Sequence, residues 1–199
     1  VGALPEALIS AGAVACGSAK EVAQQAEIVI VMVPDTPHVE AVLFGPGGVA
    51  EGLSPGKIVV DMSSISPIAT KEFARRVNEL GCDYLDAPVS GGIAGAQKGT
   101  LAFMIGGESA VVEKARPFIE PMAGNIIATG EATTGQAAKI CNNMVLGVTQ
   151  IAVAEAFVLG ERLGLQHQAL YDVMSKASGQ CWSLTTNCPV PGPVPGSPA

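Results

Sequence analysis

Lys139, Asn142 and Asn143 have the residue types and the spacing for proton transfer beside a polar substrate. In a helix, residues at i, i+3 and i+4 lie on nearly one face, so the lysine and the two amides would point the same way. Burial lowers the pKa of a lysine and makes it a general acid or base near neutral pH. The spacing alone favours a plainer interpretation, a solvent-exposed lysine beside two asparagines, because helical lysines are mostly exposed.

A second candidate site is the Ser-Gly-Gly segment at residues 90–92, which directly follows a strand-like run. In open α/β sheets, ligands bind at the carboxyl ends of the strands. Two glycines let backbone N–H groups curl around an anion, and the serine hydroxyl adds a donor, which together suit a carboxylate. Without further context, an ordinary turn is the favoured interpretation of these residues.

Two further loops end strand-like runs, Val-Pro-Asp-Thr at residues 33–36 and Asp-Met-Ser-Ser at residues 61–64. A cofactor ring or ribose often lies against such loops, although strand-to-helix connections use the same residues for structural reasons. His38 and His167 have no partner that the sequence makes evident. No G-x-G-x-x-G segment follows a strand, so the usual diphosphate loop of a dinucleotide fold is not in this sequence.

The segments that would position these residues alternate between two types. Strand-like runs occur at residues 28–33, 57–61, 84–89, 101–105 and 125–128. Helices are predicted between them at residues 36–43 and 67–81, the second with Ser66 as its N-cap and Gly81 as its stop. This alternation predicts βαβ units on a mostly parallel sheet. The first two runs are aliphatic on both faces, which is typical of central strands that helices cover on both sides.

A long helix is predicted at residues 136–163, between Gly135 and Gly164 and without proline. At 1.5 Å per residue it would be roughly 40 Å long, enough to bridge two lobes. Its apolar residues surround most of the circumference, which predicts burial on several sides; they are Ile140, Met144, Val148, Ile151 and Val158. A domain boundary is predicted at residues 130–135. A further helix is predicted at residues 166–177, and the five prolines of residues 189–199 exclude both helix and central strand there.

Composition excludes several classes of partner. Eleven Lys and Arg against 18 Asp and Glu give a net charge of −7, so there is no broad basic field for nucleic acid. The longest aliphatic run, residues 28–33, is far shorter than the roughly 20 residues of a membrane-spanning helix, and no membrane association is expected. Five cysteines without a CxxC pair argue against a metal site or a disulfide framework and favour the cytoplasm. Cys181 beside Trp182 indicates packing rather than a nucleophile.

Four motifs in succession resemble the β-hydroxyacid dehydrogenase family: DAPVSGG (86–92), GTLAFMIGG (99–107), GQAAKICNN (135–143), and SGQCW (178–182) with CPVPG (188–192). The last pair is similar to the 3-hydroxyisobutyrate dehydrogenases of that family, and 6-phosphogluconate dehydrogenase is a more distant member. The resemblance covers essentially the whole chain. It implies an α/β fold, with a partial Rossmann-type, doubly wound NAD-binding domain at residues 1–134. Residues 135–199 would be a long interdomain helix and the start of an all-helical domain.

The resemblance also implies the reaction, the NAD-dependent oxidation of 3-hydroxyisobutyrate to methylmalonate semialdehyde in valine degradation. Lys139 corresponds to the general acid/base, and Ser90, Gly91 and Gly92 correspond to the segment that holds the substrate carboxylate. Asn142 and Asn143 correspond to the amides that orient the substrate. The residues that correspond to cofactor contacts are Val33, Pro34, His38 and Ser64. His38 stands where relatives have asparagine, and Ser64 stands where they have threonine.

The resemblance implies that the chain is truncated at both ends. Family members begin with a strand, a glycine-rich loop, a helix and a second strand, which would make the first βαβ unit the missing part, and they continue with further helices. The full-length protein would be a homodimer or homotetramer that binds a small 3-hydroxy acid. Two alternatives stay open: a tartronate semialdehyde reductase or related 3-hydroxyacid dehydrogenase, and a non-catalytic fragment of such an enzyme.

Overall fold

A computed structural model describes residues 5–197. The strands are β1 (Ile28–Val31), β2 (Ile58–Asp61), β3 (Asp83–Asp86), β4 (Val89–Ser90), β5 (Leu101–Gly106) and β6 (Ala123–Gly130). The α-helices are α1 (Glu6–Ser10), α2 (Ala19–Gln25), α3 (Thr36–Phe44), α4 (Pro67–Asn78), α5 (Gly92–Lys98), α6 (Ser109–Ile119), α7 (Thr134–Arg162), α8 (His167–Met174) and α9 (Trp182–Thr185). Two 3₁₀ turns, Val49–Glu51 and Glu120–Met122, complete the regular structure. The predicted α/β class is confirmed.

The six strands form one mixed sheet in the order β1-β2-β3-β5-β4, with β6 paired to β5. Strands β1, β2 and β3 are parallel, and β6 is parallel to β5, but β5 runs antiparallel to β3 and β4. The predicted parallel pairing therefore holds for β1, β2 and β3 and for β5 with β6, but it is wrong for β5 with β3 and β4. The reason is length, because only residues 91–100 connect β4 to β5, and a parallel crossover needs a dozen or more.

The run predicted at residues 84–89 is divided into β3 and β4. Ala87 and Pro88 separate the two strands, and Pro88 has no N–H to donate to a neighbouring strand. Both parts nevertheless lie beside β5, with Asp86 opposite Gly106 and Ser90 opposite Ala102. The Ser-Gly-Gly segment thus begins on the last residue of a paired strand.

Helices cover both faces of the sheet, as a doubly wound fold requires. Successive residues of a strand point to opposite faces, so Val59 packs with α3 and α4 while its neighbours Ile58 and Val60 pack with α6. On the first face the buried helix residues include Leu43 and Phe73, and on the second they are Val111, Val112, Ala115 and Ile119. The two aliphatic layers hold β2 and β3 in the middle.

Strand β1 is predicted to be a central strand, but in the structure it is more exposed than a central strand would be. All four residues of β2 are buried, but Ile30 of β1 is 45% exposed. Among the described residues β1 pairs only with β2, which makes it an edge strand. An aliphatic run predicts burial of this strand but cannot reveal which neighbours are present to bury it.

The chain divides into two compact units, Val1–Lys139 and Ile140–Ala199; the predicted domains are residues 1–134 and 135–199. The second unit contains most of α7 together with α8 and α9. Its small core consists of Val153, Phe157, Leu184 and Cys188. Cys181 packs against this core, while Trp182 is exposed. The proline-rich end has neither helix nor strand as far as residue 197, as predicted; residues 198 and 199 lie outside the described part.

Helix α7 is not buried on several sides, contrary to its prediction. Its ends are close to those predicted, but Met144 is 63% exposed and the other four apolar residues singled out on it are each more than half exposed; they are Ile140, Val148, Ile151 and Val158. In the described residues, only the side bearing Val153 and Phe157 is covered within the second unit. By length and composition alone the helix also qualifies as a membrane span, with a mean hydropathy of 1.5 over 18 residues, which is weak support for such a role.

Candidate active site

The loops that follow β1 and β2 lie side by side at the carboxyl ends of these parallel strands. The N–H of Val33 donates to Ser63 Oγ at 3.0 Å, and the N–H of Ser66 donates to Thr36 Oγ1 at 3.3 Å. Asp35 caps helix α3 by accepting the N–H of Thr36 at 2.7 Å. The two loops therefore form one connected edge.

Three of the four predicted cofactor residues lie on this edge, and the fourth lies on the helix that follows its first loop. Pro34 and Ser64 are exposed in the two adjoining loops, and Val33 is half-buried. His38 is exposed in the first turn of α3. Val33, Pro34 and Ser64 are thus brought together by the pairing of β1 with β2, and His38 lies one helical turn away from them along the chain.

A buried carboxylate shapes the second of these loops. Asp61, the last residue of β2, is fully buried; Oδ1 accepts the N–H of Ser63 at 2.9 Å and Oδ2 accepts the hydroxyl of Tyr84 at 2.8 Å. Burial raises the pKa of Asp61 above its ordinary value, although these hydrogen bonds oppose the shift. Asp61 therefore fixes the backbone that presents Ser63 and Ser64.

A second buried carboxylate holds the start of α7. Asp86, the last residue of β3, is 0% exposed and accepts the N–H of Thr133 at 2.7 Å and that of Gln136 at 2.8 Å. The first N–H groups of a helix have no partner within the helix, and a carboxylate there is favoured. Burial raises the pKa of Asp86 to about 6, while the two N–H groups act in the opposite direction.

Two glycines allow this carboxylate to fit. A Cβ on Gly135 would lie 2.4 Å from the carbonyl oxygen of Met104, and a Cβ on Gly106 would lie 2.6 Å from Asp86 Oδ1. Both distances are shorter than any real contact of a Cβ. The first turn of α7 can therefore approach β3 and β5 only because both positions lack a side chain.

Lys139 follows Gln136 by three residues and lies on the next turn of α7. It is half-buried, and this burial lowers the pKa of its ammonium below the ordinary 10.5. Lys139 is therefore not the fully solvated lysine of the plainer interpretation. Asn142 and Asn143 follow on the same helix, as the spacing predicts; both are exposed, and Asn142 Nδ2 donates to Asn143 Oδ1 at 3.3 Å.

The Ser-Gly-Gly segment joins β4 to α5. Ser90 is half-buried at the end of β4, and Gly91 and Gly92 both have positive φ, +133° and +59°. Residues with side chains rarely adopt these conformations, so the sharp change of direction requires glycine at both positions. The segment turns the chain directly into the first turn of a helix.

Sequence reasoning missed the residues that hold this edge together. Asp86 opens the DAPVSGG motif and ends a buried strand, a signal that was available because charged residues are seldom buried without partners. Gln136 carried no such signal, since a glutamine in the first turn of a helix is ordinary. Among residues 5–197, no group of three or more His, Cys, Asp and Glu side chains is arranged to hold a metal.

Comparison with known proteins gives two family matches that together span most of the chain. Residues 3–130 match the NAD binding domain of 6-phosphogluconate dehydrogenase. Residues 133–192 match the NAD-binding domain of NADP-dependent 3-hydroxyisobutyrate dehydrogenase.

Individual relatives agree with these matches. The probable 3-hydroxyisobutyrate dehydrogenase of Mycobacterium tuberculosis (strain H37Rv) is 49% identical over 98% of this chain and 67% of its own length. The 2-hydroxy-3-oxopropionate reductase of Escherichia coli K12 is 48% identical over 82% of this chain and 56% of its own. A solved structure of the M. tuberculosis 3-hydroxyisobutyrate dehydrogenase with L-serine has a TM-score of 0.88 at 50% identity, over 92% of this chain and 62% of that one. The chain thus spans about two thirds or less of the proteins that it matches.

Proposed function

The chain belongs to the β-hydroxyacid dehydrogenase family, and from that premise we propose that it carries the central catalytic part of an NAD-dependent 3-hydroxyisobutyrate dehydrogenase. The observation that carries the proposal is Lys139, half-buried with a lowered pKa, on a helix whose first turn is bonded to the carboxyl end of β3. A lysine whose pKa is lowered by burial gives up its proton more readily than a solvated one, which suits it to act as a general base.

The residues present fit the nicotinamide end of such a cofactor. Val33, Pro34 and Ser64 present an exposed edge formed by two strand-end loops that hydrogen-bond each other, the region where dinucleotides bind in open α/β sheets. When bound, the oxidised nicotinamide accepts a hydride. His38 would contact the same nucleotide from the first turn of α3.

In the oxidation direction, the neutral amine of Lys139 accepts the proton of the substrate hydroxyl while the hydride leaves the carbon that bears that hydroxyl. The products are an aldehyde, the reduced cofactor and a protonated lysine, so the charges and electrons balance. In the reverse direction the same ammonium returns its proton to the forming alkoxide. Lys139 therefore serves as base in one direction and as acid in the other.

The substrate carboxylate would be held by residues 90–92. The Ser90 hydroxyl supplies one donor, and the backbone N–H groups of Gly91 and Gly92, at the turn between β4 and α5, supply others. Asn142 and Asn143, further along α7, remain predicted contacts to the polar groups of the substrate. We expect the full-length protein to be a homodimer or homotetramer.

A substrate panel tests the proposal. We expect the full-length protein to oxidise 3-hydroxyisobutyrate with NAD at a kcat/KM at least about 10-fold above that for glycerate, because glycerate has a hydroxyl where 3-hydroxyisobutyrate has a methyl and an apolar pocket discriminates between the two on this scale. Each substrate is also measured with NADP, and Lys139→Ala serves as the inactive control. Comparable turnover of the two acids would contradict the assignment to valine degradation.

The second candidate is a reductase of 2-hydroxy-3-oxopropionate, which is tartronate semialdehyde. The 48% identity with the Escherichia coli enzyme of that name favours it. Both candidate functions use the same lysine chemistry. Their substrates differ only in the substituent on the carbon next to the reacting carbon. Faster reduction of 2-hydroxy-3-oxopropionate than of methylmalonate semialdehyde by the full-length protein would support this second candidate.

A further inference from the structure

Gln136 bridges two parts of the site through a single side chain. Its side chain is 1% exposed; Nε2 donates to the carbonyl of Ser63 at 2.7 Å, and Oε1 accepts the N–H of Ile65 at 3.1 Å. The amide therefore forms hydrogen bonds with the backbone on both sides of Ser64. All of its partners belong to the loop after β2, more than seventy residues earlier in the chain.

The backbone of Gln136 is held just as firmly as its side chain. Its N–H donates to Asp86 Oδ2, and the other oxygen of that carboxylate accepts the N–H of Thr133. Thr133 has φ +83°, a conformation that is strained for a β-branched residue and persists only where its surroundings enforce it. Asp86 thus fixes the entry to α7, and Gln136 connects that entry to the Ser64 loop.

From this geometry we infer that Gln136 is a positioning residue, which sets the distance between Lys139 and the loop that presents Ser64 to the nicotinamide. The inference rests on the proposed function. Lys139 lies one turn beyond Gln136 on the same helix, so a displacement of Gln136 moves the amine as well. Gln136 contacts neither proton nor hydride, and its effect passes through Lys139 and Ser64.

The chemistry of the bridge requires a primary amide. One atom must donate to the Ser63 carbonyl and another must accept from the Ile65 N–H, and only an amide side chain of this length supplies both without a charge. A carboxylate at this position provides acceptors alone and opposes the Ser63 carbonyl. A methionine fills a similar volume and provides neither hydrogen bond.

The first experiment replaces Gln136 by methionine in the full-length protein. Misplacement of reacting groups by about 1 Å costs up to about 10²-fold in rate, so we expect kcat to fall by about 10-fold to 10²-fold while KM for the hydroxy acid changes less than about threefold. The primary deuterium isotope effect on kcat should rise, because hydride transfer becomes slower relative to product release. NADH affinity, measured by fluorescence, should weaken, and exchange of the Ile65 amide hydrogen should accelerate.

The second variant, Gln136→Glu, separates positioning from loss of structure. When protonated, the introduced carboxyl donates to the Ser63 carbonyl and restores the bridge; when ionised, it cannot. We expect the ratio of variant to wild-type kcat to rise as pH falls. The comparison uses the ratio of the two kcat values because Asp61, Asp86 and Lys139 titrate in both proteins. Their effect on kcat is common to both proteins and cancels in the ratio. Gln24→Glu, an exposed substitution in α2, is the matched control.

The outcomes distinguish the two proposals. An active wild type whose Gln136→Met variant keeps its kcat and isotope effect would overturn the positioning role alone. So would a kcat loss that follows the melting temperature, with no pH dependence of the Gln136→Glu ratio. A wild type without turnover of any hydroxy acid would overturn the proposed function, and the positioning role with it.

Discussion

At the residue scale, the half-buried position of Lys139 determines the pKa of its amine. The helix brings it close enough to apolar surroundings to lower its pKa, yet leaves it enough access to exchange protons. A solvated lysine keeps its ordinary pKa and holds its proton more tightly. The role proposed for Lys139 therefore depends on the environment of the amine as well as on its identity.

Replacement of Lys139 by alanine is expected to lower kcat by about 10²-fold or more, the scale of a general acid/base contribution. In the wild type, oxidation requires the neutral amine, so its rate should rise with pH and level off at a pH below the ordinary lysine value of 10.5. Reduction requires the ammonium, so its rate should fall across the same range. The measurement is kcat against pH in both directions.

Lys139→Arg is the control for this prediction, because it keeps the charge but does not lose its proton in this range. The variant should lack the pH-dependent rise in oxidation. An unchanged kcat with a higher KM in Lys139→Ala would instead identify Lys139 as a binding residue.

The candidate residues could be predicted from the sequence, but the contacts that hold them could not. The motif GQAAKICNN identifies Lys139 by resemblance, and a positive φ at Gly91 and Gly92 agrees with the need for glycine in the Ser-Gly-Gly segment. The partners of Asp86 and Gln136 depend on strand order and on which loop lies beside which helix. Those contacts join residues about fifty to seventy positions apart, beyond the reach of any local pattern.

At the scale of elements, the junction of β3 with α7 contains a titrating group. The carboxyl of Asp86 has a pKa of about 6 in the folded protein against an ordinary 3.8. The folded state therefore binds this proton more tightly than the unfolded chain does. Its contribution to stability is fully present below about pH 4 and is lost as pH rises through about 6.

Asp86→Asn is expected to flatten this dependence, because an amide does not titrate. The difference between wild type and variant in free energy of unfolding should change by up to about 3 kcal/mol between pH 4 and 7, two pKa units at 1.36 kcal/mol each. Urea unfolding at several pH values measures it, with the exposed Asp172→Asn as control. The contribution of Asp61 is the same in both proteins and cancels in this difference. If the free energy of unfolding of wild type and of Asp86→Asn depended on pH in the same way, the assignment to Asp86 would be contradicted.

The ends of elements were predictable where local chemistry determines them, whereas their burial was not. Helix α4 begins at Pro67, and the Ser66 hydroxyl caps it by accepting the N–H of Ala69. The exposed face of α7 and the edge position of β1 went against expectation for a common reason. An apolar residue indicates that burial of its side chain is favourable. Only the folded chain shows whether another element packs against it.

At the scale of the whole molecule, we expect the 199-residue chain alone to bind NADH weakly and to show little turnover. A glycine-rich loop at a helix N-terminus supplies much of the affinity for a dinucleotide diphosphate, and no G-x-G-x-x-G follows a strand in this sequence. Fluorescence titration of the chain beside the full-length protein tests this. Equal NADH affinity for the two would show that the diphosphate contacts are dispensable here.

Strand β1 has a consequence for the handling of the chain in solution. It combines an open edge, as far as the described residues extend, with the exposed side chain of Ile30, and the exposed Met32 follows directly after it. Unpaired N–H and C=O groups beside such side chains are a template on which another extended segment can add. In a preparation of the 199-residue chain alone, we therefore expect β-type aggregation at high concentration to start at this strand and the substitution Ile30→Lys to reduce it.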